Sequence, residues 1–516
     1  MILMLTTLFA AAPAFGGGRQ PGANWMRFAT PEQAGWSADK LRQAIAYAES
    51  IGSQGFLLIS DGAIVSSWGD SETRYPCASI RKPFLGALYG IYVAKGRINP
   101  IDRLAELGID DIDPALTDAE KQATIIDLLT ARSGVYHLAA FESESSMKSR
   151  PERGSHPHGS FWYYNNWDFN ALATIFEKRT GTRLFDEFER RIARPLGMED
   201  FRAERHGYYL FERDRSLHPA YLFRMNSLDM ARFGQLYLDR GRWHGRQIVP
   251  ESWVAESTRP HAKASDDDGY GYLWWVLGDD FRAYGAYAAE GVGTQLIVVL
   301  PKINAVFVHV ANNFERETVP RHKVLELLRR VLAARDGTPK AGARLVAFER
   351  KSANQPAVRI RPDVLHRYVG TYTMPGGMRL PVDLKRGELF VETRIGRFAL
   401  VPVSQREFVV EDMGERVFFD VAGAGKQVEL VIEPLWLRGA LGMLRNGEAR
   451  KAVDVLTRLA SLYPGSARVH EALGDACSAI GDRACAGASY RDALRLEPGR
   501  RGVEEKLVKL ESGRLE

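Results

Sequence analysis

Two apolar runs near the start of the chain, Phe56-Leu57-Leu58-Ile59-Ser60 and Ala63-Ile64-Val65, flank the dipeptide Asp61-Gly62. Both of those residues accept positive φ, so the pattern predicts a β-hairpin. Strand-like runs return at 271–276, 295–300 and 305–310. Between these ends the apolar positions fall at helical spacing, as in Phe169, Leu172, Ile175 and Phe176. Strands at both ends with helices between them predict an α+β domain whose sheet is completed by distant segments.

The helical pattern breaks at Asp336-Gly337-Thr338-Pro339-Lys340, which reads as a linker. Beyond it, short apolar runs at 368–373, 380–382, 388–391, 398–401, 408–410 and 417–419 are separated by turns. They predict a small antiparallel barrel or sandwich. The final segment is helical and repeats itself. Pro464-Gly465 and Pro498-Gly499 are 34 residues apart, the tetratricopeptide period. Leu473-Gly474, Gly481, Ala486, Tyr490 and Ala493 fit one copy of that repeat; Trp436, Gly447 and Ala452 fit a degenerate first copy. Such arrays need about three repeats to stand alone, so two are expected to dock on the β module.

At 516 residues the chain has room for two to four domains, each with its own core. Apolar content of 45% and charged content of 26% describe an ordinary soluble protein. The net charge of +5 is small and mixed in sign, with no aromatic-basic stripe, so nucleic acid is not an expected partner. Three cysteines, Cys77, Cys477 and Cys485, exclude a disulfide-built scaffold and a multi-cysteine zinc site. Cys477 and Cys485 fall on successive helices of one repeat, where a disulfide and two reduced core thiols are both open. His156 and His158 stand in a polar loop and read as loop polarity, and no metal or other cofactor is implied. The apolar N-terminus is too short to span a bilayer and ends in Ala12-Pro13-Ala14, so residues 1–14 read as an export signal for a periplasmic or secreted protein. No other segment has the composition of a membrane span.

The candidate chemistry begins at Ser79-Ile80-Arg81-Lys82, at the head of an apolar helical run. Serine at i and lysine at i+3 share a helix face, so the amine can reach the hydroxyl and take its proton. The spacing alone is weak. Ser37-Ala38-Asp39-Lys40 and Ser145-Ser146-Met147-Lys148 match it too, the first as a helix N-cap and the second in a polar loop. A second motif, about 85 residues downstream, is Tyr164-Asn165-Asn166, introduced by Gly159-Ser160 and followed by Asp168-Phe169 and an apolar helix. Further matching stretches are 124–135, Pro195-Leu196-Gly197-Met198 and Asn226-Ser227-Leu228-Asp229.

Taken in order, these motifs resemble the serine β-lactamase and penicillin-binding-protein superfamily, most closely its class C-like esterases and amide hydrolases. The resemblance implies an α+β fold, a β-lactamase-like antiparallel sheet with a helical subdomain, over residues 25–335. A β module at 350–432 and tetratricopeptide-like repeats at 433–516 would follow. It implies Ser79 as nucleophile with Lys82 and Tyr164 as its proton-transfer partners, either of which could be the general base. Tyr163 is the alternative should the register shift by one. Asn166 would hold Lys82 and polarise the substrate, and the backbone N–H groups of Ser79 and Val292 would form the oxyanion hole.

One box departs from the family. Where penicillin-recognising enzymes carry Lys-Thr-Gly or His-Thr-Gly, this chain has Ala289-Glu290-Gly291. The cation is missing and the carboxylate of Glu290 is expected to face the substrate beside Gly291. That favours an esterase or amidase acting on neutral or cationic small molecules. A penicillin-recognising β-lactamase or D-amino-acid peptidase is the alternative. A non-catalytic protein that recruits a protein partner through its repeats is a third class.

Overall fold

Phe56–Ser60 and Ala63–Val65 do form a hairpin, and its turn has Asp61 at φ 47° and Gly62 at φ 68°. Two successive left-handed residues match the right-handed twist of the flanking strands. The computed structural model describes residues 19–314, 318–350, 358–375, 377–422 and 427–512. The export-signal reading of residues 1–14 lies outside the described residues.

The chain divides into two compact units, Met1–Ser352 and Ala353–Glu516. The main strands of the first are β1 (Met26–Phe28), β2 (Gly55–Ser60), β3 (Ala63–Gly69), β4 (Tyr287–Gly291), β5 (Gln295–Leu300) and β6 (Ala305–Val310). They lie in a ten-stranded sheet in the order Leu345–Ala347, β1, β3, β2, β6, β5, β4, Trp275–Val276, Gly269–Tyr270, Ala262–Lys263. Its main helices are α1 (Ala38–Ser50), α2 (Arg81–Ala94), α3 (Asn166–Thr180), α4 (Ser227–Leu238) and α5 (Arg321–Ala333).

Every residue of β2, β5 and β6 is buried, because the sheet has a core on each face. Leu57, Ile59, Ile297 and Val299 enter a core shared with α2, α3 and α4. Phe56, Leu58, Leu296 and Val298 enter another, shared with α1 and α5. A sheet covered on both faces reads as continuous apolar runs, which is why these segments stood out in the sequence.

Two expectations are corrected. The run 271–276 is a tight hairpin between Gly269–Tyr270 and Trp275–Val276, with Leu273 at φ 65° and Gly271 N–H donating to Trp274 C=O over 2.8 Å. The stretch 336–340 is not a domain boundary. Asp336 and Gly337 N–H groups both donate to Gly35 C=O, Lys40 pairs with Asp336, and the chain then adds Leu345–Ala347 to the sheet beside β1. Backbone pairing with segments 300 residues earlier ties down a stretch whose composition alone reads as loose.

The second unit holds seven antiparallel strands in sequential order: β7 (Gly370–Thr373), β8 (Arg379–Lys385), β9 (Glu388–Thr393), β10 (Gly396–Pro402), β11 (Glu407–Val410), β12 (Arg416–Ala422) and β13 (Gln427–Ile432). Five helices follow, α6 (Glu433–Arg445), α7 (Ala449–Leu462), α8 (Ala467–Ala479), α9 (Arg483–Leu496) and α10 (Arg501–Glu511). The helices dock on the sheet. Trp436 Nε1 donates to Leu430 C=O over 2.9 Å, Tyr463 Oη to Val431 C=O over 3.2 Å, and Arg458 pairs with Asp420 and Glu429. Gly474 packs against the Tyr490 ring so closely that a Cβ there would come within 2.4 Å of it. Cys477 and Cys485, left open by the sequence, form a disulfide with Cα atoms 5.8 Å apart. Among the described residues, no helix is long and apolar enough to cross a membrane.

Candidate active site

Ser79 sits in a single 3-10 turn, Ala78–Ile80, that runs directly into α2. The turn is pinned from behind. Tyr75–Pro76 pairs with Ala220–Met225, Cys77 N–H donates to Phe223 C=O over 2.8 Å, and Asn313 Nδ2 donates to Pro76 C=O over 2.8 Å. Ala78, immediately before the serine, is at φ 47°, a left-handed conformation that a Cβ makes costly and that surrounding contacts must hold. Cys77 is fully buried, and burial pushes its thiol up, so it is a packing residue and not a second nucleophile.

The helix delivers Lys82 one turn later. Its Nζ lies 2.8 Å from Ser79 Oγ and 2.5 Å from Tyr164 Oη, and 4.1 and 4.3 Å from the ring centroids of Tyr164 and Phe169. Lys82 is 1% exposed. Burial, and secondly the charge of Arg81, push its amine well below the ordinary lysine value. Burial likewise pushes the Tyr164 hydroxyl up, opposed by its hydrogen bond with Ser79 and by Arg81. Both shifts favour the neutral forms, the state in which a proton can pass between them and the serine.

Tyr164 is held in register by the start of α3. Asn165 caps that helix and donates to Val135 C=O over 2.6 Å, while Ser133 Oγ donates to the buried Asp168 carboxyl over 2.6 Å. Burial pushes the Asp168 carboxyl well above its ordinary range. Tyr163, the alternative in the sequence, points elsewhere and donates to Ser146 C=O over 2.7 Å. Trp162, Tyr270 and Trp275 surround the Tyr164 ring, the last stacked on it at 5.5 Å.

The end of β4 closes the other side. A Cβ on Gly291 would come within 2.6 Å of Cys77 O and 3.2 Å of Ser79 N, so only a glycine lets this strand approach the nucleophile. Val292, which follows it, is 70% exposed.

Two expected contacts are not formed. Asn166 Nδ2 donates to Phe141 C=O over 3.1 Å and makes no described hydrogen bond to Lys82; its Oδ1 is buried without a partner among the described residues. Glu290 does not share the face of Gly291. Adjacent strand residues point to opposite faces, and Glu290 is opposite Leu296, in the α5 core. There Arg321 grips it with two hydrogen bonds of 2.7 and 2.8 Å and reaches Asp268 at 2.9 Å. The other serine-lysine pairs are accounted for. Ser37 caps α1, and Ser145 lies on an exposed short helix, Glu144–Ser149, where a polar loop was expected; Ser143 caps it. Sequence reasoning missed Arg321 because its partners are 31 and 53 residues away. It also passed over Arg81, although that residue stands inside the motif.

The Beta-lactamase family model matches residues 43–329. Solved structures of similar fold include an octameric penicillin-binding protein homologue from Pyrococcus abyssi (16% identity, 77% of this chain and 98% of that chain, TM-score 0.44). EstCE1, a hydrolase with promiscuous acyltransferase activity, is 15% identical over 58% of this chain and 99% of that chain (TM-score 0.43). A class C β-lactamase is 15% identical over 58% of this chain and 95% of that chain (TM-score 0.43). No curated protein matches the chain. With more than half of its length matched by the family model and a serine, a lysine and a tyrosine in mutual contact at the head of α2, the chain belongs to the Beta-lactamase family.

Proposed function

We propose that this protein is a serine hydrolase that cleaves an ester or amide bond through an acyl-enzyme on Ser79. The observation that carries this reading is the position of Lys82 Nζ, 2.8 Å from Ser79 Oγ and 2.5 Å from Tyr164 Oη. Ser79 Oγ attacks the carbonyl carbon as its proton passes to the Lys82–Tyr164 pair, and the backbone N–H groups of Ser79 and Val292 hold the oxyanion. Collapse breaks the bond to the alcohol or amine, which leaves with the proton carried by the same pair. Water then attacks the acyl carbon, loses a proton to that pair and frees Ser79.

Specificity follows from what lines β4. Ala289 stands where penicillin-recognising relatives place a cation, and Glu290 is already paired with Arg321. The preference for substrates without a free carboxylate beside the scissile bond therefore rests on the missing cation, and not on repulsion by Glu290. Export to the periplasm or outside the cell is supported by the small-residue pattern at Ala12-Pro13-Ala14 and by the Cys477–Cys485 bond, which suits an oxidising compartment. We carry the tetratricopeptide reading of α6–α10, and a protein partner for them, as part of this proposal.

The test is intact-mass analysis after a fluorophosphonate, with kcat/KM on p-nitrophenyl acetate and nitrocefin. The expected result is one adduct, lost in Ser79→Ala and kept in Ser37→Ala and Ser145→Ala, with the ester turned over faster. An adduct elsewhere ends the Ser79 reading; faster nitrocefin turnover replaces the esterase with a β-lactam hydrolase.

A further inference from the structure

Arg81 is the second charged residue at the head of α2, and its surroundings are unlike those of any ordinary arginine. It is 1% exposed, and among the described residues its Nε and Nη1 have no hydrogen-bond partner and no carboxylate forms an ion pair with it. Its guanidinium lies 4.4 Å from the centroid of the Tyr221 ring, on the strand Ala220–Met225. Packing alone does not select such a group, since an apolar side chain would fill the same space without a buried charge. Arginine is also the cation that cannot shed its proton in a protein.

We infer that Arg81 is a positioning residue whose fixed, buried charge makes the neighbouring Lys82 the proton acceptor for Ser79. This inference rests on the serine-hydrolase reading above and deepens it. Two cations on consecutive, fully buried residues of one helix repel through a water-poor interior, and only lysine can relieve the repulsion by losing a proton. The first turn of a helix adds to this, because its exposed N–H groups disfavour positive charge.

Among the described residues, the groups packed around the pair supply no unengaged carboxylate, and the Arg81 charge rests on the Tyr221 ring face, 4.4 Å away. From α2 itself come Arg81 and Lys82; from the turn before it, Ser79. Tyr164 precedes α3 and is neutral, Phe169 on α3 is apolar, and Asp168 on α3 is biased by burial toward its neutral acid and occupied by Ser133 and Asn165. Tyr221, against Arg81, and Tyr270, beside Tyr164, are pushed toward their neutral phenols by burial. From β4, the Glu290 carboxylate is taken by Arg321. Lys82 is lowered by burial first and by Arg81 second, in agreement with this arrangement.

The experiment measures kcat/KM on p-nitrophenyl acetate and the rate of fluorophosphonate labelling from about pH 5 to about pH 10 in the wild type, Arg81→Met, Arg81→Lys and Ser79→Ala. The rate depends on neutral Lys82, so it rises with pH through the amine's pKa. Removing the fixed charge is expected to move that acidic limb upward by about one pH unit. Arg81→Met then loses about tenfold at pH values below the wild-type limb and recovers at alkaline pH. In Arg81→Lys, where the new amine can itself lose a proton, the limb should fall between the two. An unmoved limb in a folded Arg81→Met, or a loss equal at every pH, overturns the inference and leaves Arg81 a packing residue. Should Arg81→Met not fold, the wild type decides with Arg81→Lys. A wild-type limb near the ordinary lysine value overturns the inference, whereas one well below it that shifts upward in Arg81→Lys upholds it. Retained labelling in Ser79→Ala would sink the serine reading itself, an outcome distinct from a Ser79-dependent enzyme whose limb does not respond to residue 81.

Discussion

On one face of the sheet Arg321 is clamped by Glu290 and Asp268 at 2.7 to 2.9 Å, with 41% of its side chain in water. On the other face Arg81 is sealed from water and has no ion-pair partner among the described residues. The two arginines differ in what their charge is left free to do. Arg321 spends its charge on two carboxylates and anchors the start of α5 to the sheet, a role in which partly exposed pairs contribute little energy. Arg81 keeps its charge against the Tyr221 ring, and in a low-dielectric surround that charge bears on the protonation of the next residue along, Lys82. Pairing converts a cation into a structural link, and isolation leaves it as an electrostatic control.

The sharpest way to break this contrast is on the isolated side. Ser79→Ala should reduce turnover and labelling to background, and Lys82→Ala should follow it. Tyr164→Phe should lower kcat/KM by roughly 10²- to 10⁴-fold, the range of a lost proton-transfer group. Tyr163→Phe, whose hydroxyl donates to Ser146 C=O, should change it less than about twofold. Steady-state kinetics on the four variants would read this, and a reversed order for the two tyrosines would remove Lys82 from the centre of the site.

Gly291→Ala tests whether β4 must touch the nucleophile. The new methyl would meet the Cys77 carbonyl at 2.6 Å, and backbone cannot swing aside as a side chain can. A displacement of this order is expected to cost about 10²-fold in kcat/KM. Stability should fall by about 1–3 kcal/mol. Full activity with an unchanged melting temperature would show that the strand end is not part of the site.

The paired side should give the smallest effect. Glu290→Gln leaves Arg321 with Asp268, so the expected loss of stability is about 1 kcal/mol or less. Turnover of neutral esters should stay within about twofold of the unaltered protein. Comparing kcat/KM for a neutral and a carboxylate-bearing ester in this variant sharpens the comparison further. A tenfold gain for the anionic substrate would mean that Glu290 acts on substrate despite its pairing.

Much of the site was legible because it is local. Ser79 and Lys82 are one helical turn apart, and the Asp61-Gly62 turn states its own φ requirement. The choice of Tyr164 over Tyr163 rests on the family resemblance, in which Gly159-Ser160 and Asp168-Phe169 fall where the family places their equivalents. The helical character of the C-terminal segment and the small residue at Gly474 were visible for the same reason. Where the reading went astray, a distant partner was involved. The stretch 336–340 looked like a linker until its pairing with Gln33 and Gly35 was seen. The run 271–276 counted as one strand because its apolar content hides a left-handed Leu273.

By itself, then, the sequence determined the α+β architecture of the first unit through its periodicity, and the resemblance of its ordered motifs to a known family pointed to the serine, the lysine and the tyrosine. Only the tertiary structure decided what surrounds them. It set which face of β4 carries Glu290, brought that carboxylate and Asp268 to Arg321, turned Asn166 toward Phe141 and left Arg81 without a counter-ion among the described residues. Charge states in the interior depend on desolvation and on neighbours supplied by other elements, and neither quantity is a property of any short stretch of chain.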